Sequence, residues 1–324
     1  MPTPQQAGAE LVGALLGRCS FPAPGTPLVC AVSGGADSLA LLALAVHAGL
    51  DATAVHVDHG LRAASAAEAD VVAGAAAALG AHFRAERVEL VPGSNLEARA
   101  RAARRAVLPP AHATGHTMDD QAETVLVNLL RGAGSDGLAG MRRGPSHPIL
   151  GLRRTDTRAV CEALGFDPVR DPTNDDTAFV RNRVRHELLP LACAIAGRDL
   201  VPILARQAEL FADEARLLDE LAAGLDPSDA ASLRDAPRPL ARRAVRSWLR
   251  DGGPYPPDLA AVERVLAVAQ GNAVATEVAP GRGVRRSRGV LTIAEVGDPG
   301  EQDDPPATAR RPVARAGSGS VAAR

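Results

Sequence analysis

Between residues 28 and 131 the sequence alternates short apolar runs of strand character with longer alanine-rich runs of helical character. Leu28–Val32 reads as a buried strand, Ser38–His47 as a helix and Ala52–Val57 as a second strand. Ser65–Leu79 reads as a helix, His82–Val88 as a third strand and Asn95–Val107 as a helix. Ala111–Thr114 is a short fourth strand, and Asp119–Arg131 a further helix. Strands separated by helices of this length cannot close as hairpins. They pair in parallel, and the helices cover the sheet. The expected fold is α/β with a parallel sheet. Such sheets bind ligands beyond the carboxyl ends of their strands. The residues that follow each strand are therefore where the chemistry is sought.

Past residue 195 the strand signals fade. Leu200–Ala223, Pro239–Arg250 and Pro257–Ala269 read as helices, and Ala273–Val278 with Gly289–Ile293 as a strand pair around the arginine-rich Gly281–Arg288. A length of 324 residues suits two domains. The expected division is 1–195 for the parallel-sheet domain and 196–295 for a smaller, mainly helical domain. Residues 296–324, rich in Pro, Gly, Ser and Ala, are expected to be a disordered tail.

Composition narrows the chemistry. Aromatic residues are 2% of the chain, so the core must be built from Ala, Leu and Val. Base stacking then has little surface to use, and a nucleic acid would be held by charge and hydrogen bonds. All 36 residues counted as Lys+Arg are arginine. A Walker-A phosphate loop, which needs lysine, is excluded, as is a covalent intermediate on a lysine of the protein. Arginine forks remain as phosphate clamps. Cys19, Cys30, Cys161 and Cys193 form no CxxC pair, so zinc-ribbon and iron–sulfur readings are poor. Met1–Glu10 is polar and unlike a signal peptide, and no apolar run has the length of a membrane span. A cytoplasmic protein without a membrane partner is expected. Oligomeric state is not legible.

After the first strand comes Ser33-Gly34-Gly35-Ala36-Asp37-Ser38, which opens the first helix of the alternation. Glycines let backbone approach a ligand closely. Free N–H groups at a helix start favour an anion. Ser33 and Ser38 add hydroxyl donors. The segment can cradle phosphate without a lysine. Asp37 cannot favour phosphate by itself; a metal ligand or a base for an incoming amine are its two open roles. The competing reading is a plain strand-to-helix turn capped by Asp37 or Ser38.

Three other segments carry polar residues in patterns that suit a site. Asp58-His59-Gly60-Leu61-Arg62 follows the second strand and suits adenosine or substrate contacts. Gly115-His116-Thr117-Met118-Asp119-Asp120-Gln121-Ala122-Glu123 follows the fourth strand. Asp119 and Glu123 are four apart and share a helix face, with Asp120 three before Glu123. They suit Mg²⁺ or recognition of a substrate amine, against the simpler role of acids at a helix N-terminus. Arg131 ends that helix. Arg181, Arg183 and Arg185 alternate in a basic turn that suits phosphate, either of ATP or of an RNA backbone.

The loop Ser33–Ser38 resembles the signature of the PP-loop ATP pyrophosphatases, and together the segments resemble the tRNA(Ile)-lysidine synthetase family. The resemblance extends to Asn95-Leu96-Glu97-Ala98 with Arg101 and Arg104, to Pro148-Ile149-Leu150 and to Asp171-Pro172-Thr173-Asn174. It covers residues 28–195 well and the remainder loosely. It implies a Rossmann-like PP-loop domain that binds ATP and Mg²⁺. The implied reaction adenylates the C2 oxygen of the wobble cytidine in isoleucine tRNA with a CAU anticodon. Free L-lysine then displaces AMP and leaves lysidine. On this resemblance Ser33, Gly34, Gly35, Ala36, Asp37 and Ser38 bind ATP. Asp37, His116, Asp119, Asp120 and Glu123 serve catalysis, with Asp37 and Asp119 as the metal candidates. Asp58, His59, Arg62, Arg101, Arg104, Arg131, Arg181 and Arg185 are the substrate and tRNA candidates. Arg104-Arg105 stands where the family usually has Arg-Tyr. The chain is expected to stop after the first accessory domain.

The rivals are another PP-loop enzyme, either a tRNA thiolase or an amide-forming ligase, and a nucleotide-binding module without turnover. A cluster-dependent thiolase would need paired cysteines. A module that only binds ATP would not need the acidic helix start.

Overall fold

The structure, a computed structural model, describes residues 4–58, 65–88, 103, 106–169, 176–250 and 257–295. His59, Arg62, Arg101, Arg104, the Asp171–Asn174 stretch and the tail from 296 lie outside the described residues. The chain divides into two compact units, Met1–Leu217 and Leu218–Arg324. That cut falls later than the expected one at 195/196.

In the first unit α1 (Pro4–Leu16) precedes β1 (Pro27–Ala31), α2 (Ala36–His47), β2 (Asp51–Asp58), α3 (Ser65–Leu79), β3 (His82–Arg87) and β4 (Ala113–Thr114). The strands form one parallel sheet in the order β3-β2-β1-β4, with Ala31 opposite Val55 and Thr114. The expected α/β architecture is present, with strand limits within a few residues of those read from sequence. The remaining elements of this unit are α4 (Met118–Leu130), a short α5 (Ser135–Leu138), α6 (Arg154–Ala163), the helical run α7 (Val180–Ala196) and α8 (Val201–Ala222), within which the unit boundary falls.

The core is made of small aliphatic residues. Every residue of α2 from Ser38 to Ala45 is buried, so this helix is apolar nearly all round. It packs against α6, β1, β2 and α3. Alanines at 40, 43 and 45 keep it close to its neighbours. Burial of α2 holds its first turn, and hence the Ser33–Ser38 loop, at a fixed place at the carboxyl edge of the sheet.

The second unit contains α9 (Ala230–Asp235), α10 (Arg238–Arg250), α11 (Leu259–Gln270) and the strands β5 (Ala275–Ala279), β6 (Arg282–Ser287) and β7 (Val290–Glu295). The strands form an antiparallel sheet in the order β5-β6-β7. The expected strand pair around an arginine-rich segment is therefore a three-stranded sheet, and the arginine-rich segment is its middle strand. Its alternation is hidden by charge. Val284 is buried in the core, while the flanking Arg282 and Arg286 reach the carbonyls of Leu249 and Ala269. Both carbonyls lie in the last turns of α10 and α11, where a guanidinium satisfies an open acceptor and the helix dipole.

Among the described residues no single helix is long and apolar enough to cross a membrane.

Candidate active site

The first unit brings two motifs together at the carboxyl edge of its sheet. One is the loop between β1 and α2. Gly34 has φ +86°, a conformation that only glycine adopts freely, and its carbonyl accepts from the Val169 N–H at 3.0 Å. Gly35 is the N-cap of α2 with no side-chain cap, so neither Asp37 nor Ser38 caps the helix as the plain-turn reading required. The first N–H groups of α2 are left to a ligand. The Ser38 hydroxyl donates to the Gly35 carbonyl at 2.9 Å and accepts from the Ser33 N–H at 3.2 Å. The hydroxyls of Ser33 and Ser38 stand 3.3 Å apart. Ala36 is the first helical residue.

The other motif follows β4. Gly115 passes so close to the start of α2 that a Cβ on it would lie 2.8 Å from the Asp37 carbonyl and 2.9 Å from the Ser38 nitrogen. This contact seats the second motif on the first. Thr117 then caps α4 through a reciprocal capping box, with the Asp120 carboxylate accepting from the Thr117 N–H at 2.9 Å.

Four arginines converge on the acidic residues of α4. Glu123 is completely buried, and its carboxylate accepts from Arg154, from Arg181 at 2.9 Å and from Arg185 at 2.7 Å. Asp120 accepts from Arg154 at 2.9 Å and Arg181 at 3.2 Å, with Arg185 at 3.5 Å. Asp119 turns the other way. It accepts from Arg153 Nε and Nη2 at 3.1 and 3.2 Å and from the Arg154 N–H at 2.9 Å. Asp37 accepts from the Thr157 hydroxyl at 2.5 Å and lies 3.6 Å from Arg154 Nε. A single guanidinium, that of Arg154, thus links the phosphate loop to the acid pair on α4.

The electrostatics follow from this arrangement. Burial pushes Asp37 above the ordinary aspartate range, and the charge of Asp120 adds to that; Thr157 and Arg154 offset it only in part. Burial would raise Asp120 too, but Arg154, Arg181, the Thr117 N–H and His116 outweigh it and hold it low. Arg154 is held charged against its burial by Asp120 and Glu123.

Several expectations are corrected. Asp120 and Glu123 share Arg154, Arg181 and Arg185, whereas Asp119, read with Glu123 on one helix face, is turned to Arg153. Arg181 and Arg185, read as phosphate or RNA contacts, are bonded to carboxylates of their own chain. Arg131 is exposed at the far end of α4, about 12 Å along the helix from Glu123. Asp58 ends β2 at the same sheet edge as the loop. The helix that carries Arg181 and Arg185 runs on through Pro190; the turn before the proline, Val184–Leu188, is a wider π turn, which relieves the clash a proline makes in a regular helix. Arg153, Arg154 and Thr157 were missed. Their one local signal was Asp156, whose carboxylate accepts from the Arg153 N–H at 2.8 Å at the start of α6.

Among the described residues no three His, Cys, Asp or Glu side chains gather as a metal cage. A Mg²⁺ ion carried on nucleotide phosphates needs only one or two protein carboxylates. Asp37 fits that need: it sits at the phosphate loop, and its Oδ2 is held by Arg154 through a 3.6 Å ion pair rather than a hydrogen bond. Asp119 does not fit, because both its oxygens are taken by Arg153 and Arg154.

Comparison with known proteins agrees with this geometry. A PP-loop domain matches residues 14–192 and a TilS substrate binding domain residues 229–292. The chain is 40% identical over 296 residues to a tRNA(Ile)-lysidine synthase of Nocardia farcinica, covering 84% of this chain and 93% of that one. It is 41% identical over 320 residues to one of Salinispora tropica, covering 87% and 93%. It is 42% identical over 246 residues to one of Rhodococcus erythropolis, covering 71% and 76%. Similarity of this extent, spanning both the phosphate loop and the second unit, means that the chain belongs to the tRNA(Ile)-lysidine synthase family.

Proposed function

We propose that this chain joins free L-lysine to C2 of the wobble cytidine in isoleucine tRNA with a CAU anticodon. ATP adenylates the cytidine O2 and releases pyrophosphate; the lysine ε-amine then displaces AMP. The observation that carries this reading is the Arg154 bridge. It ties Asp37 at the phosphate loop to Asp120 and Glu123, so that a triphosphate and an amine would be handled within one site.

Ser33, Gly34, Gly35, Ala36 and Ser38 hold the phosphates through backbone and hydroxyl donors. A Mg²⁺ ion held by Asp37 and the phosphates would neutralise charge on the departing pyrophosphate. Asp120 and Glu123 receive the ε-ammonium of lysine. In the structure guanidinium groups occupy those carboxylates, and of these Arg181, with 41% of its side chain exposed, has the shortest way to move aside. Freed guanidiniums would then face phosphate. His116 lies near enough to Asp120 to help keep that carboxylate ionised. An imidazole beside a fixed negative charge suits acceptance of a proton from the amine. The second unit contributes charge to the tRNA backbone, with Arg285 and Arg288 exposed on and beside β6. Asp58, His59, Arg62, Arg101 and Arg104 remain candidates for nucleoside or tRNA contacts, and the cytoplasm is the compartment where such substrates meet.

The test is incubation with ATP and labelled lysine, with and without an isoleucine tRNA transcript. AMP and pyrophosphate should form only with the tRNA, and lysine should enter it. Production of ADP, or AMP formation that ignores both tRNA and lysine, would overturn the reading.

A further inference from the structure

Thr114, the last residue of β4, has its hydroxyl at the meeting point of three polar groups. Oγ1 lies 3.1 Å from the Ser146 carbonyl, 2.7 Å from His116 Nδ1 and 2.8 Å from His147 Nδ1. The two imidazoles meet edge to face, with centroids 5.1 Å apart and planes at 76°. A hydroxyl has one proton to give and two lone pairs to offer. A carbonyl can only accept, so the Thr114 proton goes to Ser146. Both lone pairs of Oγ1 are then filled only if each ring donates an Nδ1–H. A neutral imidazole that carries its proton on Nδ1 has an unprotonated Nε2.

The segment that supplies His147 is itself fixed. The Ser146 carbonyl also accepts from the Thr114 N–H at 3.0 Å, and the His147 N–H donates to the Gly144 carbonyl at 2.9 Å. Neither His147 nor Thr114 has a part in the phosphate loop or the acid pair.

We propose that Thr114 and His147 are positioning residues that lock His116 in its Nδ1–H tautomer, so that Nε2 is the nitrogen that takes the proton from the attacking amine. The inference rests on the reading of His116 as proton acceptor. In the step concerned, the lysine ε-ammonium gives a proton to Nε2, and the neutral amine forms the N–C2 bond. The C2–O bond breaks with its electron pair leaving on AMP, whose phosphate takes the second proton of the amine. Burial, together with His112, pushes the His147 pKa down. A lowered pKa favours the neutral ring, the form in which the His147 Nδ1–H serves Thr114 while Nε2 stays unprotonated.

The test begins with nitrogen NMR on protein labelled at histidine. In the free enzyme, His116 should show a protonated Nδ1 and an unprotonated Nε2. Thr114→Val should move the proton in part or whole to Nε2, and Thr114→Ser should restore the original form. His147→Phe should loosen the lock, and His147→Asn, which keeps an N–H donor, should hold it better. In turnover, Thr114→Val and His147→Phe should lower kcat between about ten- and a hundredfold with little change in the KM for ATP. Neither should lower it further in a His116→Ala background. A wild-type His116 with its proton on Nε2 would overturn the lock. Losses that persist undiminished in the His116→Ala background would overturn its route through His116. Should His116→Ala keep full kcat while the Nδ1–H form is seen, the proton-acceptor reading falls and takes the catalytic half of the proposal with it; the tautomer itself stands.

Discussion

Arg154 places both terminal nitrogens 3.2 Å from the same oxygen of Glu123, Oε1, although Glu123 has no exposed surface at all. A carboxylate so deeply buried is tolerated only when its charge is matched and its lone pairs are filled. Arg154 also serves Asp120 and sits beside Asp37. Removing one partner from such a cluster leaves buried charge uncompensated, which destabilises by about 3–5 kcal/mol. Arg181 and Arg185 remain on Glu123, so Arg154→Gln should fall at the lower end, about 3 kcal/mol. Arg154→Lys should recover little of this, because an ammonium cannot span three carboxylates as a planar fork does. Urea midpoints of the two variants check both statements. An unchanged midpoint for Arg154→Gln would show that the cluster does not hold the fold.

Asp37 and Asp120 should respond to pH with opposite signs. Asp37 is raised from the ordinary value of 3.8, chiefly by burial. Between that value and its folded one the native state binds more protons than the unfolded, so stability falls as pH rises through the window. Asp120 is lowered from 3.8 because Arg154 and Arg181 outweigh its burial. Its contribution is present above 3.8 and is lost as pH falls through the folded value. Asp37→Asn should therefore leave the fold at neutral pH as stable as before or more so, while stopping AMP release. Asp120→Asn should destabilise at neutral pH and flatten the acid limb. Thermal unfolding between pH 3 and 8 (roughly the span of carboxylate titration), with AMP release measured on the same samples, reads both. Full turnover in Asp37→Asn would remove that residue from the machinery.

The sequence showed the sheet and the loop because each has a local signature. Leu28–Val32 is apolar and short, and Ser33–Ser38 follows it directly. The partners of the acidic motif were not legible, because they come from helices far along the chain. Arg153 and Arg154 lie more than thirty residues from Asp119 and Asp120, as the separations of 34 and 34 in their hydrogen bonds show. Spacing alone put Asp119 and Glu123 on one face, and they do start there. Which acid joins Glu123 depended on where α6 places its arginines. The middle strand Arg282–Ser287 escaped notice for a related reason. Arg282 and Arg286 are matched to carbonyls at two helix ends, Arg285 faces out, and only Val284 carries the apolar signal.

Gly115 ought to tolerate no side chain. Its Cβ would press on backbone atoms of Asp37 and Ser38, and backbone cannot rotate out of the way. Gly115→Ala should push the two motifs apart, with a loss of about 1–3 kcal/mol of stability. ATP affinity should drop more than that strain alone implies, since the displaced atoms open the phosphate loop. Titration with a non-hydrolysable ATP analogue, beside the unfolding midpoint, separates the two effects. Wild-type affinity in a folded Gly115→Ala protein would mean the loop does not hold the phosphates.

Arg288 sits in the two-residue turn between β6 and β7 with φ +50°, where glycine or asparagine is the usual choice. An arginine there is unfavourable for the turn, so Arg288→Asn should stabilise the second unit slightly, by a few tenths of a kcal/mol at most (about the scale of a relieved surface strain). The same change removes an exposed cation. If that cation meets the tRNA backbone, affinity should weaken evenly for every tRNA sequence, and the slope of log K against log salt should shrink by about one. Arg285→Ala, on the exposed side of β6, should do the same without the gain in stability. Arg282 and Arg286 are poor choices for this test, since they hold helix carbonyls and their loss would unsettle the fold. Salt titrations of tRNA binding for Arg285→Ala, Arg288→Asn and the double variant decide the matter. Slopes equal to wild type in all three would place the tRNA on another face of the protein.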